Sequence, residues 1–397
     1  MNKEKIEKII IEIGDDLIEK NYLDKKNVSL YTGLSGITLF YAYLYLNTKS
    51  DKYYNIVGEN LEKIIEALDY GYLEPSFSNG ISGIFWLFNH LNKLQLLDQE
   101  DISFIDSYDT ILLKEGKKKV DENCLELLSG ATGIGLHFIN NPTKKESIEF
   151  FNYYVSGLKR YSIVEEDRIY WIDVYFNKDL KESTNIGLAH GMGSTLTFLA
   201  KLFALGILKE DCKKLIDGMI NYYRYIDSKG TLSRSTFPYR VSEFETPINS
   251  RLAWCYGDLG IGYSIFLVGS MIGNTSYKDY GIQILINTTK NLDPTENSII
   301  DSDFCHGSMG AAYIYKKMYD YTNKNVFMET SNYWYNHTLN IRSYPEGIAG
   351  FKHFTGEEGD GYVAVPGLLE GASGIGLLYL TMLNTELTSW DECLLLS

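Results

Sequence analysis

The chain has 397 residues with 52 acidic and 37 basic side chains, a formal charge of −15, and only 7 prolines. That balance, with no basic stripe to offset it, argues against a nucleic-acid partner, and no apolar run approaches the roughly 18 residues of a membrane span. Residues 1–4 lead directly into an amphipathic pattern rather than a signal peptide, and the odd count of 5 cysteines shows no paired spacing, so reduced thiols and a cytoplasmic location are expected.

In chain order, the first pattern is Ile6, Ile9, Ile10, Ile13 and Leu17, which recur at helical spacing with Glu and Lys between them. This predicts a helix with one buried face. A G-x-x-G tetrad begins at Gly33, and the run from Ile37 to Leu44 after it is apolar on nearly every face, which predicts a wholly buried helix. The pair then recurs. Leu61, Ile64, Ile65 and Leu68 precede a tetrad at Gly80, and further tetrads begin at Gly130, Gly191, Gly257, Gly307 and Gly371. Leu215, Met219, Ile220 and Tyr223 repeat the amphipathic pattern ahead of the fifth tetrad, and residues 375–380 the apolar one after the seventh. The fourth tetrad is irregular, with Ser194 at the second glycine position and Gly193 one place early.

Seven copies spaced 47 to 66 residues apart leave room for one helix out, a loop and one helix back, and a period of that kind governs the fold. Glycine at the tetrads suits positive φ and close backbone approach at a tight helix entry. Inner helices apolar all round need cover on every side, which a ring of inner helices inside a ring of outer ones provides. The expected fold is all-α: an α/α toroid of seven helical hairpins, one domain over residues 1–397, with short β or irregular loops at the mouth. Three loops leading into tetrads, 161–190, 229–256 and 341–370, are long and rich in Tyr, Phe and Trp, and residues 168–174 are strand-like. Such loops are commonly functional, and their aromatic content suggests an ordered, peptide-binding rim.

Three tetrads carry the cysteine and histidine residues placed for chemistry. Cys255 lies two residues before the fifth, Cys305 and His306 immediately precede the sixth, and His190 immediately precedes the fourth. In a toroid these positions face one mouth. Two thiolates and an imidazole form a three-ligand set, one short of the four that zinc prefers, and an open position marks a catalytic site. One Zn²⁺ per chain is expected on Cys255, Cys305 and His306. Formally neutral, such a centre suits activation of an incoming thiol, whose free pKa is near ~8.5. Cys124, Cys212 and Cys393 read as small buried apolar residues, and His90, His137, His337 and His353 are left structural.

Residues 254–257 (W-C-Y-G), 305–307 (C-H-G), 189–191 (A-H-G) and 369–376 (L-E-G-x-x-G-I-G), with the tetrads, resemble the lanthionine synthetase cyclases, the LanC-like family, in motif order and over essentially the full chain. The resemblance implies a seven-fold α/α barrel with zinc on Cys255, Cys305 and His306. It implies addition of a peptide cysteine thiol to dehydroalanine or dehydrobutyrine, giving a (methyl)lanthionine thioether ring. The family's acid/base histidine maps onto His190, which would protonate the enolate; its arginine maps onto Arg251, a cation for enolate charge; its tyrosine maps onto Tyr256. Where the family typically has an Asp, four residues before the third tetrad, this chain has Glu126, a carboxylate one methylene longer. The partners implied are a dehydrated precursor peptide, a dehydratase and an export complex, the last bringing the protein peripherally to the inner membrane face. Two other readings compete: a related enzyme adding glutathione to dehydroamino acids, and a non-catalytic zinc-containing peptide-binding scaffold, for which the Glu126 substitution is the best support.

Overall fold

The structure, a computed structural model, describes residues 3–24, 26–72, 74–173, 183–230, 232–356 and 361–397. Its helices are α1 (Lys3–Glu19), α2 (Leu34–Thr48), α3 (Asp51–Asp69), α4 (Ile81–Lys93), α5 (Asp109–Asp121), α6 (Ala131–Ile139) and α7 (Lys145–Tyr161). After the short strands β1 (Ile163–Glu165), β2 (Arg168–Tyr170) and β3 (Ser183–Asn185) come α8 (Met192–Ala204) and α9 (Lys209–Ser228). Then follow β4 (Arg240–Ser242), α10 (Asp258–Met271), α11 (Thr275–Thr288), α12 (Ser308–Thr322), α13 (Asn325–Ile341), β5 (His353–Phe354), β6 (Tyr362–Val363) and α14 (Ala372–Leu383).

The alternation follows the sequence pattern. Each even-numbered helix starts directly after the first glycine of a tetrad, which is its N-cap. In α2 every residue from Leu34 to Leu44 is buried, as is Ala372 to Thr381 in α14. Truncating one such leucine to alanine costs about 2–5 kcal/mol, so the apolar run itself holds these helices inside. The odd-numbered helices bury one stripe: Ile6, Ile9, Ile10, Ile13 and Leu17 in α1, and Leu215, Met219, Ile220 and Tyr223 in α9. Ile65 departs from the expected stripe of α3 and is 39% exposed, because Leu61, Ile64 and Leu68 already fill the inward face.

Of the two purposes expected of the tetrad glycines, close backbone approach recurs from tetrad to tetrad and positive φ holds at one. Among the N-cap glycines only Gly257 has positive φ, at 87°, and the others are extended. Both glycines of a tetrad carry the close-approach constraint: a Cβ on Gly307 would collide with Asp303 N, one on Gly310 with the carbonyl of Phe304, six residues earlier, and one on Gly374 with that of Leu368. A side chain there would push the entering loop off the helix. In the irregular fourth copy Gly193 takes this close approach, against Leu188, and Ser194 turns its hydroxyl to the carbonyl of Gly191.

The chain forms two compact units. One comprises residues 1–74, 78–97 and 292–393, the other 75–77, 98–291 and 394–397. In the first, the inner helices α12, α14, α2 and α4 pack in succession, with α3 on α2, α13 on α12 and α1 on α14. In the second, α6, α8 and α10 are neighbours, backed by α5, α7, α9 and α11. The strands form three antiparallel pairs, β1–β2, β3–β4 and β5–β6. The β3–β4 pair joins loops 161–190 and 229–256. Of the strand-like run 168–174, only Arg168–Tyr170 is a strand, and residue 174 lies outside the described residues.

Candidate metal and acid–base site

A backbone ladder runs through the residues just ahead of the tetrads and sets the site's register. In the second unit Phe77 N donates to Leu128 O, Leu127 N to Ala189 O, and Ala189 N to Cys255 O. In the first, Cys305 N donates to Leu369 O, Leu368 N and Leu369 N to Tyr31 O, and Tyr31 N to Ser78 O. Cys255 and Cys305 therefore occupy the same place in their repeats, two residues ahead of a helix N-cap. The helix N-terminus is the positive end of the macrodipole, which favours a thiolate nearby. The pairing of Ala189 with Cys255 also sets the next residues, His190 and Tyr256, beside one another.

In the second unit the structure brings together four of the residues picked out in the sequence. His190 Nδ1 donates to Glu126 Oε2 at 2.9 Å; a carboxylate can only accept, so the shared proton sits on the imidazole. Glu126 is buried, and its carboxylate also accepts from Leu128 N at 2.8 Å and from Ser129 N. The extra methylene relative to Asp is taken up by this fold-back onto its own loop. Burial works against a charged His190, but the hydrogen bond and charge of Glu126 outweigh it and hold its pKa above the ordinary histidine value. The His190 ring lies 6.2 Å from that of Tyr256, whose hydroxyl accepts from Asn185 Nδ2 at 3.3 Å. Burial pushes the Tyr256 phenol up to about 12, so it stays protonated. The Tyr256 ring contacts Tyr239 at 5.6 Å, and Arg251 Nε donates to Tyr239 Oη at 2.9 Å. Glu126, His190, Tyr256, Tyr239 and Arg251 thus form one continuous line. Glu126 and His190 also line a narrow recess with Cys124, Trp171 and Asp173.

In the first unit Cys305 is 7% exposed and His306 adjoins it. Around His306 stands a cluster that sequence reasoning missed. Asp301, Asp303, His306 and His353 present polar atoms within 4.8 Å of one another. His353, left structural above, donates from Nδ1 toward Asp303 Oδ2 at 2.8 Å and Asp301 Oδ2 at 3.0 Å. Burial opposes its protonation, but those two carboxylates outweigh it and raise its pKa to about 10. His353 is therefore an imidazolium clamped between acids. The signal available in the sequence was the pair Asp301 and Asp303 just ahead of the Cys305–His306 dipeptide; nothing there marked their partner 50 residues on.

The remaining cysteines and histidines have structural settings. All 5 cysteines are buried thiols rather than disulfides, and burial raises the pKa of Cys124, Cys212 and Cys393. His90 stacks on Trp86 and pairs with the Tyr43 hydroxyl at 2.9 Å, and its pKa falls to about 3. His137 pairs with Asp109 at 2.7 Å, and His337 lies edge-on to Trp334.

Comparison with known proteins finds likeness over nearly the whole chain. A family model described as lanthionine synthetase C-like protein matches residues 24–395. The nisin biosynthesis protein NisC of Lactococcus lactis subsp. lactis is 24% identical over 441 residues, covering 100% of this chain and 96% of its own. The solved structure of nisin cyclase superposes with a TM-score of 0.74 at 21% identity, covering 99% of this chain and 97% of that one. This likeness shows the fold class expected from the tetrads, an α/α toroid.

Proposed function

The chain belongs to the lanthionine synthetase C-like family, and from that premise we propose that it is a zinc-dependent cyclase joining peptide cysteine thiols to dehydroalanine or dehydrobutyrine. The carbon–sulfur bond forms at the β-carbon, and a proton is delivered to the α-carbon. No atom is lost, so the peptide keeps its mass while losing a thiol. The observation that carries the reading is the His190–Glu126 pair, an imidazole on a buried carboxylate one residue along from the backbone partner of Cys255.

Cys255, Cys305 and His306 would hold the metal. The donor chemistry fits: two buried thiols at equivalent repeat positions ahead of helix N-termini, and an imidazole adjoining one of them. Two sulfurs and one nitrogen suit zinc and leave a position for a substrate sulfur. When bound, zinc would supply that sulfur as a thiolate at neutral pH. The chain's own residues would do the rest. With Nδ1 committed to Glu126, His190 delivers its proton from Nε2 to the α-carbon of the enolate. Glu126 keeps the ring oriented and favours its charged form. Arg251 offsets charge on the enolate oxygen, and the protonated Tyr256 hydroxyl orients groups beside Cys255.

We further read the two units as one catalytic domain over residues 1–397, because the seven tetrads, the fourth of them irregular, run through both. Its substrate would be a dehydrated precursor peptide supplied by a dehydratase. The five thiols support a cytoplasmic setting, where an export complex would take the product. Among the described residues no helix is long and apolar enough to cross a membrane. Metal analysis tests the reading: one zinc per chain is expected, lost in Cys255→Ala and Cys305→Ala and retained in His190→Ala, which should not close rings. Full zinc content in both cysteine variants would overturn it.

A further inference from the structure

We propose that Asp303 is the positioning residue for the metal ligand His306, with His353 as the group that holds Asp303 in place; this rests on the zinc reading above. Asp303 is 1% exposed, and a carboxylate so buried must have its oxygens satisfied. Its two oxygens have separate tasks. Oδ1 accepts from His306 N at 2.8 Å and from Gly307 N at 2.9 Å, fixing the backbone of the ligand and the entry to α12. Oδ2 lies 3.6 Å from His306 Nε2 and accepts from His353 Nδ1 at 2.8 Å.

The ring edge of His306 that faces Asp303 is thus the Nε2 edge, which would leave Nδ1 for the metal. A ligating histidine ordinarily gives its second ring N–H to a carboxylate, which fixes the tautomer and the ring's orientation. A cation on Nδ1 would make Nε2–H more acidic and strengthen its attraction to Oδ2. Asp303 alone could swing away from His306. His353 prevents that by donating from Nδ1 to Asp303 Oδ2 at 2.8 Å, with Asp301 Oδ2 at 3.0 Å from the same nitrogen, and its Nε2 stands 3.8 Å from Glu370 Oε2. The four-residue cluster is therefore a support for one ligand, and the commitment of His353 Nδ1 to both aspartates argues against a separate hard-metal site.

The test is zinc affinity of the full chain, measured by competition with a chromophoric chelator, together with the ligand-field spectrum of the cobalt(II) form. In Asp303→Asn the amide oxygen can still cap His306 N and Gly307 N, while its NH₂ cannot accept from an imidazole. Zinc binding should weaken about 10- to 100-fold, and the cobalt bands should shift. His353→Gln leaves Asp303 intact and should weaken zinc in the same direction by a smaller factor, so the inference stays testable if the first variant does not fold. Cys255→Ala separates the two claims. If it loses zinc while Asp303→Asn and His353→Gln bind as wild type with unchanged cobalt bands, the positioning role is wrong and the zinc site stands. If Cys255→Ala binds zinc as wild type, or the wild-type chain binds none, the zinc reading falls and the positioning role with it.

Discussion

Glu126→Gln keeps the shape of the side chain and removes its charge. The carboxylate accepts from Leu128 N at 2.8 Å, from Ser129 N, and from His190 Nδ1 at 2.9 Å. Oε2 serves both Leu128 N and His190 Nδ1, so a carboxamide oxygen there sets its NH₂ against Ser129 N, and the opposite flip sets the NH₂ against Leu128 N and the imidazole. A hydrogen bond to a charged group is worth about 1.5–3 kcal/mol. At about 1.4 kcal/mol per tenfold, ring closure should slow by about 10- to 150-fold if the imidazolium is the proton donor. Zinc content should not change, because Glu126 is not among the proposed ligands. Single-turnover cyclisation followed by thiol alkylation gives the rate, and NMR titration of ¹³C-labelled histidine gives the His190 pKa, which should fall. Glu126→Asp retains the charge with a shorter reach and should keep more activity than the Gln variant. A Gln variant with wild-type turnover and an unmoved His190 titration would refute the pairing as the source of His190's charge.

The other predictions concern pH and the frame. His190 has a folded pKa above its unfolded one, so the stability of its pair with Glu126 is complete below the ordinary histidine value and is lost as pH rises through the folded value. Cyclisation should accordingly decline only on the alkaline side of the ordinary histidine range, and in Glu126→Gln that limb of the pH–rate profile should move to lower pH. Gly310→Ala should destabilise the protein, reversing the usual gain of about 0.5–1 kcal/mol for this change in a helix, because the new methyl meets the Phe304 carbonyl; thermal unfolding decides the sign. Lys317→Met should cost about 3–5 kcal/mol by urea unfolding, since Asp391, 0% exposed, would keep the Tyr313 hydroxyl at 2.7 Å and lose its cation.

The tetrads and the apolar runs after them made the helical repeat legible, because both are short-range: a glycine every 47 to 66 residues and a hydrophobic pattern within each helix. The reason for the glycines was partly so. Positive φ holds at Gly257 alone among the N-caps, whereas close approach to a carbonyl six residues earlier, as at Gly310, depends on how the loop folds under the helix. Glu126 and His190 were each picked out through the family resemblance, but only coordinates give their 2.9 Å contact and the backbone amides that absorb the longer side chain. Tyr239, which links Tyr256 to Arg251, and Asn185, which donates to Tyr256, lie in loops whose register is set by the β3–β4 pairing. His353 escaped notice because it sits on the long loop 341–370, far in sequence from the aspartates that hold it.

Purified protein, mixed with a dehydrated peptide that still carries its cysteines, can be sampled over time, alkylated, and weighed. Catalysis should appear as fewer alkyl adducts at constant underlying peptide mass, at a rate well above the protein-free mixture and dependent on bound zinc. Adduct loss no faster than in the protein-free mixture would contradict the assignment of a cyclase and leave a helical scaffold that binds metal or peptide without turnover.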